Sequence, residues 1–156
     1  MTGDPDPAFE PADAGFEQRT RESFSRQGVM ALLGASLCRV EPGFVEIALA
    51  FRPELSQQHG YFHAGVVATI ADSAGGFAAF TLFPADAGVL TVEFKVNLMT
   101  PADGERIVAA GRILRAGRTI TVSRFDVHAE KAGRRIHCAT GLQTIMRIVG
   151  RAGVQG

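Results

Sequence analysis

A long run of small, mostly apolar residues, Ala64–Phe80 (AGVVATIADSAGGFAAF), constrains the fold of this chain more than any other feature. Such a run is typical of a buried helix whose backbone packs closely against a neighbouring element. Asp72 is the one charged residue in the run, and burying an ionised carboxylate without partners is costly. Because a charge is also disfavoured at the centre of a bilayer, we predict a packed helix with a functional carboxylate and no membrane span.

The composition indicates one globular domain that does not bind a highly charged polymer or surface. The chain has 156 residues, of which 46% are apolar, enough to bury a core. Its 16 basic and 16 acidic residues balance, so we expect no nucleic-acid or membrane partner. Cys38 and Cys138 lie far apart, which predicts neither a disulfide framework nor a metal site. With no basic-then-apolar segment at its start, the protein is expected to be cytoplasmic.

The remaining segments alternate between helix and strand patterns. Residues 1–15 are rich in Pro and Asp and predict a disordered tail, followed by one domain over residues 16–150. Apolar spacing predicts an amphipathic helix over 16–33. The strand patterns, before and after the central helix, cover residues 35–40, 44–51, 90–98, 106–115, 118–130 and 135–148. This order predicts an α+β protein in which an antiparallel sheet surrounds one long helix.

Two strand patterns carry finer predictions. The segment 90–98 alternates strictly, with Leu90, Val92, Phe94, Val96 and Leu98 on one face and Thr91, Glu93, Lys95 and Asn97 on the other. This period of two predicts that the apolar face is buried. In segment 118–130 the apolar phase slips between Val122 and Phe125, which predicts a bulge near Ser123 and Arg124.

Helix geometry separates two candidate site residues within one chain. Asp72 follows His63 by nine residues, so the two lie on opposite sides of the helix and roughly 13 Å apart along its axis. If both serve one reaction, the site combines residues of two subunits. At the helix N-terminus, the Gly65 N–H suits a developing oxyanion. Burial raises a carboxyl pKa and donated hydrogen bonds lower it, and for Asp72 both outcomes stay open.

The stretch Gln57-x-x-Gly60-x-x-His63-Ala64-Gly65, with Asp72 nine residues after the histidine, resembles the hotdog-fold acyl-CoA thioesterases, in particular their PaaI-like, phenylacetic acid degradation-type branch. The resemblance covers residues 33–148. It implies a hotdog fold and hydrolysis of an aryl or medium-chain acyl-CoA to a carboxylate and free CoA. It also implies homodimers with shared sites, paired into tetramers, and no cofactor, because coenzyme A is part of the substrate.

The same resemblance implies the roles of individual residues. Asp72 is the general base or nucleophile, and the Gly65 N–H is the oxyanion donor. Gln57 and His63 orient the thioester or the attacking water. Thr91 occupies the place where some relatives carry a Ser or Thr that holds the hydrolytic water.

Three further residues are expected to contact the substrate. Ala64 replaces the first glycine of the family's His-Gly-Gly motif and keeps its N–H. Phe94 is a candidate for the acyl pocket. Arg118 is a candidate to bind the phosphates of coenzyme A, because a guanidinium group can donate two parallel hydrogen bonds to phosphate oxygens.

Two other functions remain as alternatives. One is a non-catalytic acyl-CoA-binding module on the same scaffold. The other is an enoyl-CoA hydratase or dehydratase, whose motif places a histidine five residues after an aspartate. Neither Asp72 nor Asp126 is followed by such a histidine, which disfavours this second alternative.

Overall fold

The computed structural model of the chain describes residues 8–154, and residues 1–7 of the predicted tail lie outside this range. The helices are α1 (Phe16–Ser25), α2 (Gly28–Leu33) and α3 (Ala64–Phe80), with a short 3-10 turn at Pro53–Leu55. The strands are β1 (Ser36–Glu41), β2 (Phe44–Ala50), β3 (Ala87–Leu98), β4 (Arg106–Arg115), β5 (Ile120–Lys131) and β6 (Arg134–Val149).

One antiparallel sheet with the order β1-β2-β4-β5-β6-β3 wraps around helix α3. Strand β4 approaches the helix so closely that a Cβ on Gly111 would overlap the carbonyl of Ala74. Glycine in the strand and alanine in the helix therefore allow backbone to pack on backbone. The predicted α+β architecture, an antiparallel sheet around one long helix, is confirmed.

Side chains at both ends of α3 fix its length. His63 is the N-cap, with φ −64° and ψ 138°, and its Nδ1 accepts a hydrogen bond from the Gly65 N–H. Just before it, Phe62 is buried and its N–H donates to the Ala102 carbonyl at 3.1 Å. At the other end, the Thr81 hydroxyl donates to the Ala78 carbonyl at 2.7 Å. The helix thus begins where the sequence pattern predicts.

The single helix predicted over residues 16–33 is wrong, because the chain breaks into α1 and α2 at Arg26–Gln27. Gln27 has an extended backbone, with φ −74° and ψ 103°. In one continuous helix, Phe24 and Met30 would lie about 120° apart around the axis. The break allows both to face inwards: Phe24 packs on Phe77 with ring centroids 5.9 Å apart, and Met30 is buried.

The prediction of a buried face on β3 is also wrong for the isolated chain. Strand β3 lies at one edge of the sheet and pairs with β6 alone within residues 8–154. Its apolar side chains expose about half of their surface, as Leu90, Val92, Phe94 and Leu98 do. The apolar side chains are present as predicted, but within residues 8–154 no strand pairs with the outer edge of β3, and these side chains stay partly exposed.

A bulge at Val92 further changes which face of β3 each residue occupies. Thr91 pairs with Ile145 and Glu93 pairs with Thr144, so Val92 has no partner on β6. The extra residue shifts the phase by one. As a result, Thr91 and Phe94 share the inner face, although strict alternation placed them on opposite faces.

The bulge predicted near Ser123 and Arg124 of β5 is wrong. In β5 the buried positions alternate without a break, as Thr121, Ser123, Phe125, Val127 and Ala129. The register shift lies on the neighbouring strand, where Leu114 of β4 is the extra residue, and a second shift leaves Cys138 of β6 unpaired. The apparent phase slip arose because Thr121 and Ser123 are polar residues on the inner face.

The described part of the predicted tail, residues 8–15, lies against the domain. Phe9 packs on the core, and the Ala12 N–H donates to the Leu82 carbonyl at 3.4 Å. Asp13 forms an ion pair with Arg19 at 3.1 Å. No helix within residues 8–154 is long and apolar enough to cross a bilayer.

Candidate active site

The carboxylate of Asp72 is held at one oxygen and open at the other. Its Oδ1 accepts hydrogen bonds from the Thr91 hydroxyl at 2.7 Å and from the Gln143 side-chain amide at 2.6 Å. Within the described part of the chain, Oδ2 has no hydrogen-bond partner. The side chain lines a cavity of about 250 Å³ together with Thr91, Ser73 and Gln27. One carboxylate oxygen is therefore available to accept a proton or to attack an electrophile.

Burial raises the pKa of Asp72 above its ordinary value near 3.8, and the hydrogen bond from Thr91 opposes this rise only in part. The sequence left both directions open, and burial prevails. A carboxylate with a raised pKa is a stronger base than a solvated one, which is a property that general-base catalysis needs.

A polar pair on the inner face of the sheet, Gln143 and Ser123, supports Asp72 and was not predicted from the sequence. Gln143 on β6 is 1% exposed, and its amide oxygen accepts from the Ser123 hydroxyl at 3.2 Å. Its position was detectable in principle. The two-residue period of a strand places Gln143 on the same face as the buried Ala139 and Ile145, where an apolar side chain is expected and an amide is unusual.

The second group of predicted site residues lies at the N-terminus of α3. His63, Ala64 and Gly65 are exposed there, and Gln57 lies in the preceding loop. The loop closes through a 2.9 Å hydrogen bond from the Gln57 N–H to the Tyr61 carbonyl. The Gln57 side-chain oxygen accepts from the N–H of His59, so its NH₂ group stays free of partners within residues 8–154.

The backbone amides of the first helical turn differ in their availability. The Gly65 N–H, predicted as the oxyanion donor, already donates to Nδ1 of His63 at 2.9 Å. The Ala64 N–H has no partner among the described residues. The Ala64 N–H is thus free to donate to an oxygen atom at the helix end, whereas the Gly65 N–H is available only if its hydrogen bond to His63 is broken.

A mostly apolar cavity of about 410 Å³ opens beside this helix end. Gln57 and Ala64 lie on its wall next to the helix. Its apolar wall includes Phe62, Val67, Leu98, Met99 and Cys138. Burial raises the pKa of the Cys138 thiol, so this side chain is neutral and adds to the apolar lining.

The two groups do not meet within one chain. Helix α3 runs without interruption from Ala64 to Phe80, so His63 and Asp72 are roughly 13 Å apart along its axis. Thr91 joins Asp72, whereas Gln57, Ala64 and Gly65 stay with His63.

Phe94 and Arg118 lie apart from the helix N-terminus. The Phe94 ring packs edge-on against Phe125, with centroids 6.4 Å apart, and is 42% exposed. Arg118 is exposed in the β4–β5 turn. That turn lies towards the C-terminal end of α3. Near the end of β4, the Ile113 N–H donates to the Gly43 carbonyl, and the Gly43 N–H donates to the hydroxyl of Thr81, the C-cap of α3.

Known proteins resemble this chain in both sequence and structure. The family model of the thioesterase superfamily matches residues 59–136. A thioesterase family protein of known structure from Silicibacter pomeroyi is 46% identical, with a TM-score of 0.86 over 87% of this chain and 100% of that chain. The medium/long-chain acyl-CoA thioesterase YigI of Escherichia coli K12 is 27% identical over 129 residues, which are 73% of this chain and 81% of that protein.

The PaaI protein of the phenylacetic acid degradation operon of E. coli shares the fold, with a TM-score of 0.78 at 15% identity over 86% of this chain and 94% of that chain. The matched family segment contains α3 and Asp72. The hotdog fold and the thioester hydrolase class that the resemblance implied are therefore confirmed. By its sequence, its fold and the acid at the middle of its central helix, this chain belongs to the thioesterase superfamily.

Proposed function

We propose that the protein hydrolyses the thioester of an aryl or medium-chain acyl-CoA to a carboxylate and free CoA, at a site completed by a second subunit. The observation that carries the proposal is the Asp72 carboxylate, which is held at Oδ1, open at Oδ2 and raised in pKa by burial. In a thioesterase-superfamily chain, this group is suited to activate water.

The proposed reaction uses both groups of site residues. The thioester carbonyl oxygen accepts a hydrogen bond from the Ala64 N–H, aided by Gly65 and the helix dipole. Asp72 Oδ2 takes a proton from water as the water oxygen bonds to the carbonyl carbon. The tetrahedral intermediate then collapses, the carbon–sulfur bond breaks, and the departing thiolate takes the proton back from Asp72. Gln57 and His63 orient the thioester, and Thr91 orients the water.

A dimer brings these groups together. The Ala64 N–H lies at the start of α3 and Asp72 lies in its middle, so one thioester carbonyl group cannot contact both residues of the same chain. In a two-fold dimer, each site would combine the Ala64 end of one helix with Asp72 of the partner subunit.

Strand β3 is the surface that supports such a dimer. As an edge strand it has unpaired backbone groups, and its exposed side chains include Leu90, Val92, Phe94 and Leu98. A long apolar edge of this kind favours pairing with another strand. Antiparallel pairing with β3 of a second copy would cover it. The outer face of the sheet also exposes Ile120 and Leu142, which supports association of two dimers.

The two cavities suggest how the substrate lies. The larger, apolar cavity near Ala64 has the volume of a drug-sized ligand pocket and would take the acyl group or the pantetheine arm. Phe94 lies on the strand of Thr91, so in the proposed dimer it would contact the acyl group from the Asp72 side of the shared site. Arg118 would contact a CoA phosphate. The name of the YigI relative, a medium/long-chain acyl-CoA thioesterase, supports a substrate of this class.

Hydrolysis of an acyl-CoA panel, followed by thiol release, tests the proposal. We expect Asp72→Asn to lower kcat by about 10²–10⁴-fold, as loss of a general base does. Asp86→Asn is the matched control, because Asp86 is exposed and lies outside the site. Retention of most activity by Asp72→Asn would contradict the assignment. Hydration of crotonyl-CoA without thiol release would indicate the hydratase alternative, and acyl-CoA binding without turnover the non-catalytic module.

A further inference from the structure

Gln143 connects three structural elements at the site, although it lies outside the segment that the family model matches. Its Nε2 is 2.6 Å from Asp72 Oδ1, 2.8 Å from Thr91 Oγ1 and 3.1 Å from the Asp72 carbonyl oxygen. One buried amide on β6 therefore contacts both the central helix and the edge strand. A side-chain amide has two N–H groups, so it can bond the carboxylate and the Thr91 hydroxyl at once.

The surroundings determine which way the amide points. On the Asp72 side it meets acceptors: a carboxylate oxygen and a backbone carbonyl. On the other side, the Ser123 hydroxyl donates to Oε1 at 3.2 Å. The reversed amide would place its oxygen against the carboxylate at hydrogen-bond distance, where the two oxygens would repel each other. The two acceptors of Asp72 therefore direct the N–H groups of Gln143 towards the carboxylate, and the Ser123 hydroxyl, which can donate or accept, donates to the oxygen on the other side.

The helix makes room for this amide. A Cβ on Gly75 would overlap Oε1 of Gln143 and Oγ of Ser123. Any larger residue at position 75 would push the amide away from Asp72. At Gly75, helix α3 thus lies close enough to β5 and β6 for the hydrogen-bonded Ser123 and Gln143 side chains to fill the space that a larger residue would occupy.

We propose that Gln143, anchored by its hydrogen bond from Ser123, is a positioning residue that fixes the Asp72 carboxylate and the Thr91 hydroxyl for the reaction. Its N–H donates to Oδ1, so the carboxylate cannot rotate and Oδ2 stays in the reactive position. A donor to the charged form also favours ionisation, which limits the rise that burial causes in the pKa of Asp72. This role in turnover rests on the proposed function, whereas the effect on Asp72 does not.

Two substitutions separate positioning from packing. Gln143→Met keeps the length and removes the donor, so we expect the pKa of Asp72 to rise and kcat to fall by about 10- to 100-fold with little change in KM. Gln143→Glu places a second carboxyl beside the first, so the pair shares a proton and the acid limb of the kcat/KM profile moves to higher pH. Gln18→Met is the control, since Gln18 is exposed on α1.

The titration of Asp72, followed by NMR of its ¹³C-labelled carboxyl group, gives a readout that is independent of turnover. Folded Gln143→Met and Gln143→Glu proteins with the wild-type Asp72 titration and kcat within twofold of wild type would overturn the positioning role. If Gln143→Met does not fold, the milder Ser123→Ala substitution must produce the same directions of change. If Asp72→Asn retains hydrolysis, the proposed function fails, while the NMR titration still decides whether Gln143 controls Asp72.

Discussion

Thr91 Oγ1 lies 2.7 Å from Asp72 Oδ1, and this hydrogen bond joins the edge strand of the sheet to the middle of the central helix. The contact exists because Val92 is bulged. In a regular strand, Thr91 would lie on the opposite face from Phe94, whereas here both face the helix. The bulge at Val92 therefore places the Thr91 hydroxyl beside Asp72, the only acidic residue of α3.

We expect Thr91→Val to lower kcat by about 10- to 100-fold, because a misplaced catalytic group costs this much in rate. The change preserves shape and removes the donor to Asp72, so the pKa of Asp72 should also rise. Steady-state kinetics on the best substrate of the panel measures the effect. Thr91→Ser, which keeps the hydroxyl, is the matched control. Equal kcat values for the Val and Ser variants would contradict a role for this hydroxyl.

The pH dependence of hydrolysis should follow Asp72. The reactive form is the carboxylate, and burial raises its pKa above the ordinary value near 3.8. Activity should therefore be full at higher pH and fall as the pH drops through the raised pKa. A profile of kcat/KM against pH should show this acid limb at a pH above the ordinary aspartate value of 3.8. Full activity down to the ordinary pKa of an aspartate would contradict the prediction.

The same shift predicts that Asp72 weakens the fold. A carboxyl whose pKa is raised by folding contributes stability below its unfolded pKa, and this contribution is lost as the pH rises through the folded pKa. At pH 8 we expect Asp72→Asn to melt at a higher temperature than wild type, and each 2–4 °C corresponds to about 1 kcal/mol in a chain of this size. The difference should shrink as the pH is lowered towards 4, and thermal melts at both pH values measure it.

Local spacing was enough to predict the parts of the site that lie on one helix. The start of α3 at Ala64, the position of Asp72 and its distance from His63 follow from helical geometry. These features depend on neighbours along the chain. They could therefore be predicted without knowledge of the sheet.

The parts of the site that depend on strand register could not be predicted. Whether Thr91 faces inwards depends on which residue of β6 it meets, and a single bulge reverses the answer. The contact between Gln143 and Asp72 spans 71 positions in sequence. Ser123 is polar, so the sequence pattern suggested that it faces outwards. It is buried because it bonds to Gln143, which is distant in sequence.

We expect Val92→Lys to weaken dimer formation. Val92 is 55% exposed on the edge strand, and a lysine on such an edge opposes pairing with another strand. If the site needs two subunits, activity per chain should fall in parallel with the dimer fraction. Analytical ultracentrifugation and thiol-release assays at matched concentrations measure the two quantities. Leu32→Lys is the control, because Leu32 is 76% exposed on α2 and lies away from β3.

Mixing two inactive proteins should restore activity if each site uses two chains. In a dimer of one His63→Ala chain and one Asp72→Asn chain, one site lacks both groups and the other site is intact. Random mixing makes half of the dimers mixed, so about a quarter of the wild-type sites should be recovered. Refolding the two proteins together, and each alone as the control, measures this fraction. A site confined to one chain would recover no activity, because every chain would still lack one of the two groups.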